Sequence, residues 1–176
     1  MNQQPKYHRI LLKLSGEALA NGQKDSILDF AFIDRVAAVL KKCQSAGVEI
    51  GIIVGAGNIW RGVTGSVKMQ RTRADHMGML ATTMNAIALC DAFIRNGMDT
   101  VVMSAAEMDT YADHYTTRHA DRLLKEGKIV IFGGGEVLKQ NGVIIGALGV
   151  SGGSAQQDSD LAAYGKSIFE EVIACL

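Results

Sequence analysis

The sequence predicts an α/β fold, a three-layer sandwich built around a mainly parallel sheet. Short apolar runs recur at Ile10–Leu14, Val48–Val54, Thr100–Met103 and Lys128–Phe132. Segments of helical period separate them, the alternation expected of parallel strands joined by crossover helices. The 176 residues contain 20 glycines and one proline, so the connections are glycine turns and not proline-rich linkers.

Each element has its own signal. "ILLKL" ends at Ser15-Gly16, which marks a buried strand running into a tight turn. Residues Ile27–Ala46 place Leu28, Phe32, Val36, Val39 and Leu40 on a helical stripe, closed by Gly47. "VEIGIIV" is the second strand, followed at once by Gly55. Ala74–Arg95 is the longest helix, with Met77, Leu80, Met84, Ile87 and Ile94 at helical spacing and Asn96-Gly97 as its stop. A third strand at Thr100–Met103, a polar stretch at Asp109–Tyr115 and a helix over Thr117–Lys125 lead to the fourth strand, "KIVIF".

After Gly133 the pattern changes. Eight of the 20 glycines fall between Gly133 and Gly153, and no arginine follows Arg122. Residues 136–176 carry two lysines against five acids. "EVLKQNGVIIGALGV" predicts a β-hairpin turning at Asn141-Gly142, and a final helix is expected over residues 156–173. The hairpin is expected to extend the main sheet and the helix to cover it. The expectation is a single α/β domain over 1–176, with a seam near Gly133–Glu136 that divides residues 1–135 from a C-terminal segment, 136–176.

Composition excludes several classes. Lys+Arg and Asp+Glu are 18 each, which argues against a nucleic-acid polymer or an acidic membrane surface as partner. The N-terminus lacks an apolar signal core, and no uninterrupted apolar run reaches the ~18 residues that span a bilayer, so a cytoplasmic location is expected. Cys43, Cys90 and Cys175 have no metal or redox spacing and read as small buried hydrophobes. Histidines 8, 76, 114 and 119 share no metal-ligand spacing with acids or cysteines, so no protein-held metal is expected.

Two glycine turns follow predicted parallel strands, where open α/β sheets place their ligands. The first is Lys13-Leu14-Ser15-Gly16. Backbone N–H groups and a lysine at such a turn suit an anion, although GxxxxGK[ST] is absent. The alternative for Lys13 is a strand-end lysine with a buried stem and a solvated head. The second turn is Gly55-Ala56-Gly57-Asn58-Ile59-Trp60-Arg61-Gly62. Here Arg61 offers a fork matched to phosphate oxygens, while the GxGxxxxG spacing fails the dinucleotide fingerprint. Trp60 is either a packing residue or a platform for a base. Asp75 is either a helix cap or an acceptor for ribose hydroxyls, and periodicity alone favours the cap.

Three segments carry a family resemblance: "YHRILLKLSGEAL", "GIIVGAGNIWRG" and "ADHMGMLATTMNAIALCDAF". With "KIVIFGGG" they resemble, over about residues 7–135, the first half of the bacterial uridylate (UMP) kinases, of amino-acid-kinase fold. The resemblance implies ATP-dependent phosphorylation of UMP, with Mg2+ accompanying ATP, in a homo-oligomer assembled through the long helices. It implies that Lys13, Leu14, Ser15, Gly16, Gly57 and Arg61 lie on the ATP phosphates, with Lys13 and Arg61 as the catalytic cations. Ala56 and Asp75 would lie on UMP, Asp75 at its ribose. Ala56 departs from the family's triple glycine. After Gly135 the family's UMP loop and adenine site find no counterpart, so impaired transfer is expected. "GVIIGALGVSGGSAQQDSDLA" instead resembles the C-terminal end of GlcG/HbpS-like haem-binding proteins, giving the chain a chimera-like character. The alternatives are a non-catalytic binding module or haem-related small-molecule binding through that tail.

Overall fold

Apolar strands that bury both faces need helices on both sides, and the chain supplies them in alternation. The computed structural model describes residues 5–22, 26–60, 69–133, 136–140 and 143–148. In chain order these form β1 (Arg9–Leu14), α1 (Gly16–Ala20), α2 (Phe30–Ser45), β2 (Glu49–Val54) and α3 (Arg71–Arg95). Then follow β3 (Thr100–Ser104), β4 (Asp113–His114), α4 (Thr117–Lys125), β5 (Ile129–Gly133), β6 (Glu136–Gln140) and β7 (Val143–Leu148). Five strands form one sheet in the order β1-β2-β5-β3-β4, with every pairing parallel.

The register makes the strands end together. Arg9 pairs with Glu49 and Leu14 with Val54, while Val54 also pairs with Gly133. Side chains alternate across the sheet. Ile10, Leu12, Leu14, Ile50, Ile52, Val54, Ile129 and Ile131 face Leu19, Ile33, Leu40, Leu89 and Phe93 from α1, α2 and α3. On the other face Met103 and Val130 meet Ala120, Leu123 and Leu124 of α4, and Tyr115 stands edge-on to Phe132 with ring centroids 5.7 Å apart. This is the expected three-layer arrangement.

Local chemistry sets the boundaries. α2 starts at Phe30, later than the periodicity suggests, because Asp29 caps it: Oδ1 accepts from the Phe32 N–H at 3.0 Å. Oδ2 accepts from Asn21 Nδ2 at 2.8 Å. These two donors hold the Asp29 carboxyl below the usual carboxylate range, the backbone N–H first. Gly47 ends the following turn at φ 85°, a left-handed conformation that glycine adopts without steric cost.

Three expectations change. First, α3 begins at Arg71, with Gln70 as its N-cap, so Asp75 lies in the second turn and is not the cap. The buried side of α3 is built from small residues, Ala74, Ala81, Ala86 and Ala92 with Leu89 and Phe93. Its Met77, Leu80, Met84, Ile87 and Ile94 stripe lies on the outside, 38–56% exposed. Second, the hairpin does not extend the main sheet: β6 and β7 pair antiparallel in a two-stranded sheet, Glu136 opposite Leu148 and Gln140 opposite Val143. The topology explains this. β5 lies between β2 and β3 with both edges already paired, so the chain leaving it finds no open edge beside it. Third, residues 76–95 form a helix long and apolar enough on average to cross a membrane, although half of it is buried within the fold, as in a core helix. The Asn141-Gly142 turn, the expected final helix and Cys175 lie outside the described residues. Cys43 and Cys90 are free thiols packed partly against the core, and burial pushes the Cys90 thiol up.

Candidate functional site

The site is built where β1 and β2 end side by side. The Gly55 N–H donates to the Leu14 carbonyl at 2.9 Å, carrying the ladder one residue past Val54. The two exits, Ser15-Gly16-Glu17 and Gly55–Trp60, therefore face each other. Ser15 turns the first exit into α1, its Oγ accepting from the Ala18 N–H at 3.2 Å. The second exit closes one helical turn, with the Ile59 and Trp60 N–H groups both donating to the Ala56 carbonyl at 2.9 Å.

The exits touch through glycine. A Cβ on Gly16 would stand 2.7 Å from the Gly57 nitrogen and 2.9 Å from the Ala56 carbonyl carbon, and would strike Asn58 Oδ1. A Cβ on Gly57 would collide with the Glu17 carboxylate. At Gly16 the obstacle is backbone and leaves no room for a side chain, whereas at Gly57 it is the end of the flexible Glu17 side chain. Position 55 differs, since an added Cβ there would come no nearer than 3.5 Å to its surroundings. Ala56 is buried, so its methyl is accommodated within the fold. The close backbone approach thus depends on Gly16, and a third glycine at 56 is not sterically required.

Asparagine side chains lock the second turn. Asn85 of α3 is fully buried. Its Nδ2 donates to the Gly55 carbonyl at 2.7 Å and to Asn58 Oδ1 at 2.8 Å. Asn58 Nδ2 returns a bond to Asn85 Oδ1 at 3.1 Å and reaches the Ile27 carbonyl at 2.6 Å. Trp60 completes the attachment: its Nε1 donates to the Ala74 carbonyl at 2.9 Å, so this ring anchors the turn to α3.

Lys13, Leu14, Ser15, Gly16, Ala56 and Gly57 are thus brought to one end of the sheet. Lys13 is exposed and alternates with Leu12 and Leu14, so it projects from the α4 face of the sheet. Asp75 follows Ala74 in α3, next to the carbonyl that receives Trp60. Arg61 and Gly62 lie outside the described residues. Among the described residues no group of three or more His, Cys, Asp or Glu side chains is placed to hold a metal ion. His119 Nε2 lies 3.6 Å from an Asp113 carboxylate oxygen. Sequence reasoning did not single out Asn58 or Asn85; the available signal was an asparagine in register with Ala81, Ala86 and Leu89 on the buried side of a helix.

The arrangement agrees with comparisons to known proteins. The amino acid kinase family matches residues 8–164. A uridylate kinase of Ectopseudomonas mendocina (strain ymp) is 48% identical over 133 residues, 75% of this chain and 53% of that protein. The crystal structure of UMP kinase from Ureaplasma parvum superposes with a TM-score of 0.65 at 33% identity, covering 73% of this chain and 54% of its own. UMP kinase from Bacillus anthracis gives a TM-score of 0.67 at 31% identity, covering 80% and 56%. The chain spans about half the length of these relatives.

Proposed function

Because the chain belongs to the amino acid kinase family, we propose that its paired glycine turns bind nucleotide phosphates in a uridylate-kinase-like site whose reaction is transfer of a phosphoryl group from ATP to UMP. The observation that carries this reading is the direct packing of the Ser15–Glu17 exit on the Gly55–Asn58 exit, with backbone against backbone at Gly16, where only glycine fits. In this reading the turn after β1 takes the ATP phosphates through Lys13, Leu14, Ser15 and Gly16. Gly57 and Arg61 lie on the same side, and Ala56 and Asp75 serve UMP.

The chemistry follows from charge. Phosphoryl transfer depends on positioning and on neutralising phosphate charge, with little covalent work for the protein. Lys13 and Arg61 supply that positive charge, and the backbone of the turns orients the phosphates. Mg2+, brought with ATP, would add charge neutralisation on the phosphate oxygens. Asp75 orients the acceptor by accepting hydrogen bonds from its ribose.

Among the described residues we assign none to adenine, and the reading we favour for these residues alone is at most residual phosphoryl transfer. The alternative is a non-catalytic nucleotide-binding module. We propose a seam near Gly133–Glu136, with 136–176 as a segment of GlcG-like pattern within one domain, although the amino acid kinase match over residues 8–164 runs across it. We further propose that the protein is a cytoplasmic homo-oligomer, assembled through the exposed apolar stripe of α3.

Separate titrations with UMP and ATP, followed by a coupled assay of UDP formation, test these readings. Binding of either nucleotide, lost in Lys13→Ala, supports the site. Binding without UDP supports the module. Failure to bind either nucleotide overturns both.

A further inference from the structure

Asn85 is a buried amide on a helix face otherwise made of Ala, Gly, Thr, Leu and Phe. Burying a carboxamide is unfavourable unless its hydrogen bonds are restored, and among the described residues they are restored by the second glycine turn. Both Asn85 bonds to Asn58 and the bond to Gly55 are within ordinary length, so the amide acts as a fixed bracket between α3 and the exit of β2. Asn58 Oδ1, held by Asn85, also occupies the space that a side chain on Gly16 would need. One buried side chain on α3 therefore sets the place of Gly55 and, through Asn58, the gap between the two turns.

We propose that Asn85 is a positioning residue for the nucleotide site: through Asn58 and the Gly55 carbonyl it holds the second glycine turn against the first in the arrangement that receives phosphates. This deepens the proposed function and rests on it. Asn85 itself stays behind the turn. A hydrophobic residue of similar size would fill its volume but remove the Asn85 bonds to the Gly55 carbonyl and the Asn58 amide, so the turn would lose its bracket at Gly55–Asn58 and keep the Trp60 bond to Ala74, while the core stayed filled.

The test uses the whole chain and its only tryptophan, Trp60, which lies two residues past Asn58 and is bonded to α3. Asn85→Leu, Asn85→Ala, Asn58→Ala and the Asn58→Ala/Asn85→Ala double variant are compared with Leu40→Ala, a buried core change on a different helix, α2. The readouts are Trp60 emission without nucleotide, Kd for UMP and for ATP, and melting temperature. The expected result is a shifted Trp60 emission and about tenfold weaker nucleotide binding in each asparagine variant. The double variant should be no worse than the stronger single one, because both remove one interaction. Leu40→Ala should lower the melting temperature without moving emission or Kd.

Asparagine variants that melt earlier but keep wild-type emission and Kd would overturn the proposal and leave Asn85 a purely structural amide. If the Asn85 variants do not fold, Asn58→Ala decides alone, since it breaks the same pair from the partly exposed side. If the wild-type chain binds neither nucleotide, the phosphate reading fails by itself. Trp60 emission in Asn58→Ala then still decides whether the pair holds the turn: an unchanged spectrum overturns the bracket as well.

Discussion

A side chain on Gly16 would lie 2.7 Å from the backbone nitrogen of Gly57, so the exits of two neighbouring parallel strands are in contact through their main chains. The contact arises from register. β1 and β2 pair through Leu14 and Val54, and the Gly55 N–H adds one more bond to Leu14, so both chains turn at the same level. Gly16→Ala must push backbone against backbone and should destabilise by about 1–3 kcal/mol, as overpacking does. Gly55→Ala has room and should be neutral or slightly stabilising, through a less flexible unfolded chain. Urea unfolding of the two variants checks the contrast. Equal losses would mean that the turns are further apart than the contact requires.

Lys13 is the described cation at these turns for which the phosphate reading has a definite use. It projects from the exposed end of β1, on the face opposite Leu12 and Leu14. Lys13→Ala should weaken ATP binding by about 1–3 kcal/mol, the range for a hydrogen bond to a charged group. Its effect on the melting temperature should be small, because the residue is exposed. Calorimetric titration with ATP measures the first quantity and thermal unfolding the second.

Asp75 is freed from the capping role that its place before the Met77 stripe suggested, since Gln70 is the N-cap of α3. Asp75→Asn should therefore leave stability nearly unchanged. If the carboxylate accepts from the UMP ribose, the same change weakens UMP binding and spares ATP binding. Parallel titrations of the variant with the two nucleotides separate the effects, and unchanged UMP affinity would remove Asp75 from the site.

The strands and most helices were legible because their apolar runs and glycine stops are local signals. β1, β2, β3 and β5 fall within a residue of the runs that announce them. What was not legible depended on size and on pairing. The outward stripe of α3 carries larger residues than its buried side, where Ala81, Ala86 and Ala92 let the helix approach the sheet closely. Residue size therefore pointed away from the core. The hairpin was recognised, but its separation from the main sheet follows from β5 having both edges paired, which is a property of strand order. The two-residue β4 is too short for any pattern. Of the site, the glycines were visible and the Asn58–Asn85 pair was not, because its two members are 27 residues apart and each is unremarkable alone.

Asp29 gives a pH-dependent signature. Its carboxyl is held down by the Phe32 N–H and then by Asn21, so folding favours the charged form. A depressed folded pKa contributes stability that is complete above the unfolded value, about 4, and is lost as pH falls through the folded value. Asp29→Ala should therefore melt earlier than wild type at neutral pH, and the gap should narrow below about pH 4. A gap that stays constant into acid would show that the loss comes from packing and not from the charged cap.

The exposed stripe of α3 bears on assembly. Met77, Leu80, Met84, Ile87 and Ile94 recur at spacings of three, four, three and seven residues, the rhythm of a seam between helices, and all are solvent-exposed in the single chain. A contiguous apolar face of this kind is unusual on a monomer surface. If two copies pair through it, Leu80 is buried on each, and burying one such side chain is worth about 1.5–3 kcal/mol. In a two-fold interface every substitution acts twice. Leu80→Glu replaces that gain with two like charges facing a desolvated seam, so the oligomer should dissociate. Light scattering at matched concentrations should show wild type above the 18.8 kDa of one chain and the variant at that mass. Circular dichroism of the variant should be unchanged, because Leu80 makes no part of the core. A wild-type chain that is monomeric at the highest concentration tested, or a variant that stays associated, would move assembly away from this face of α3.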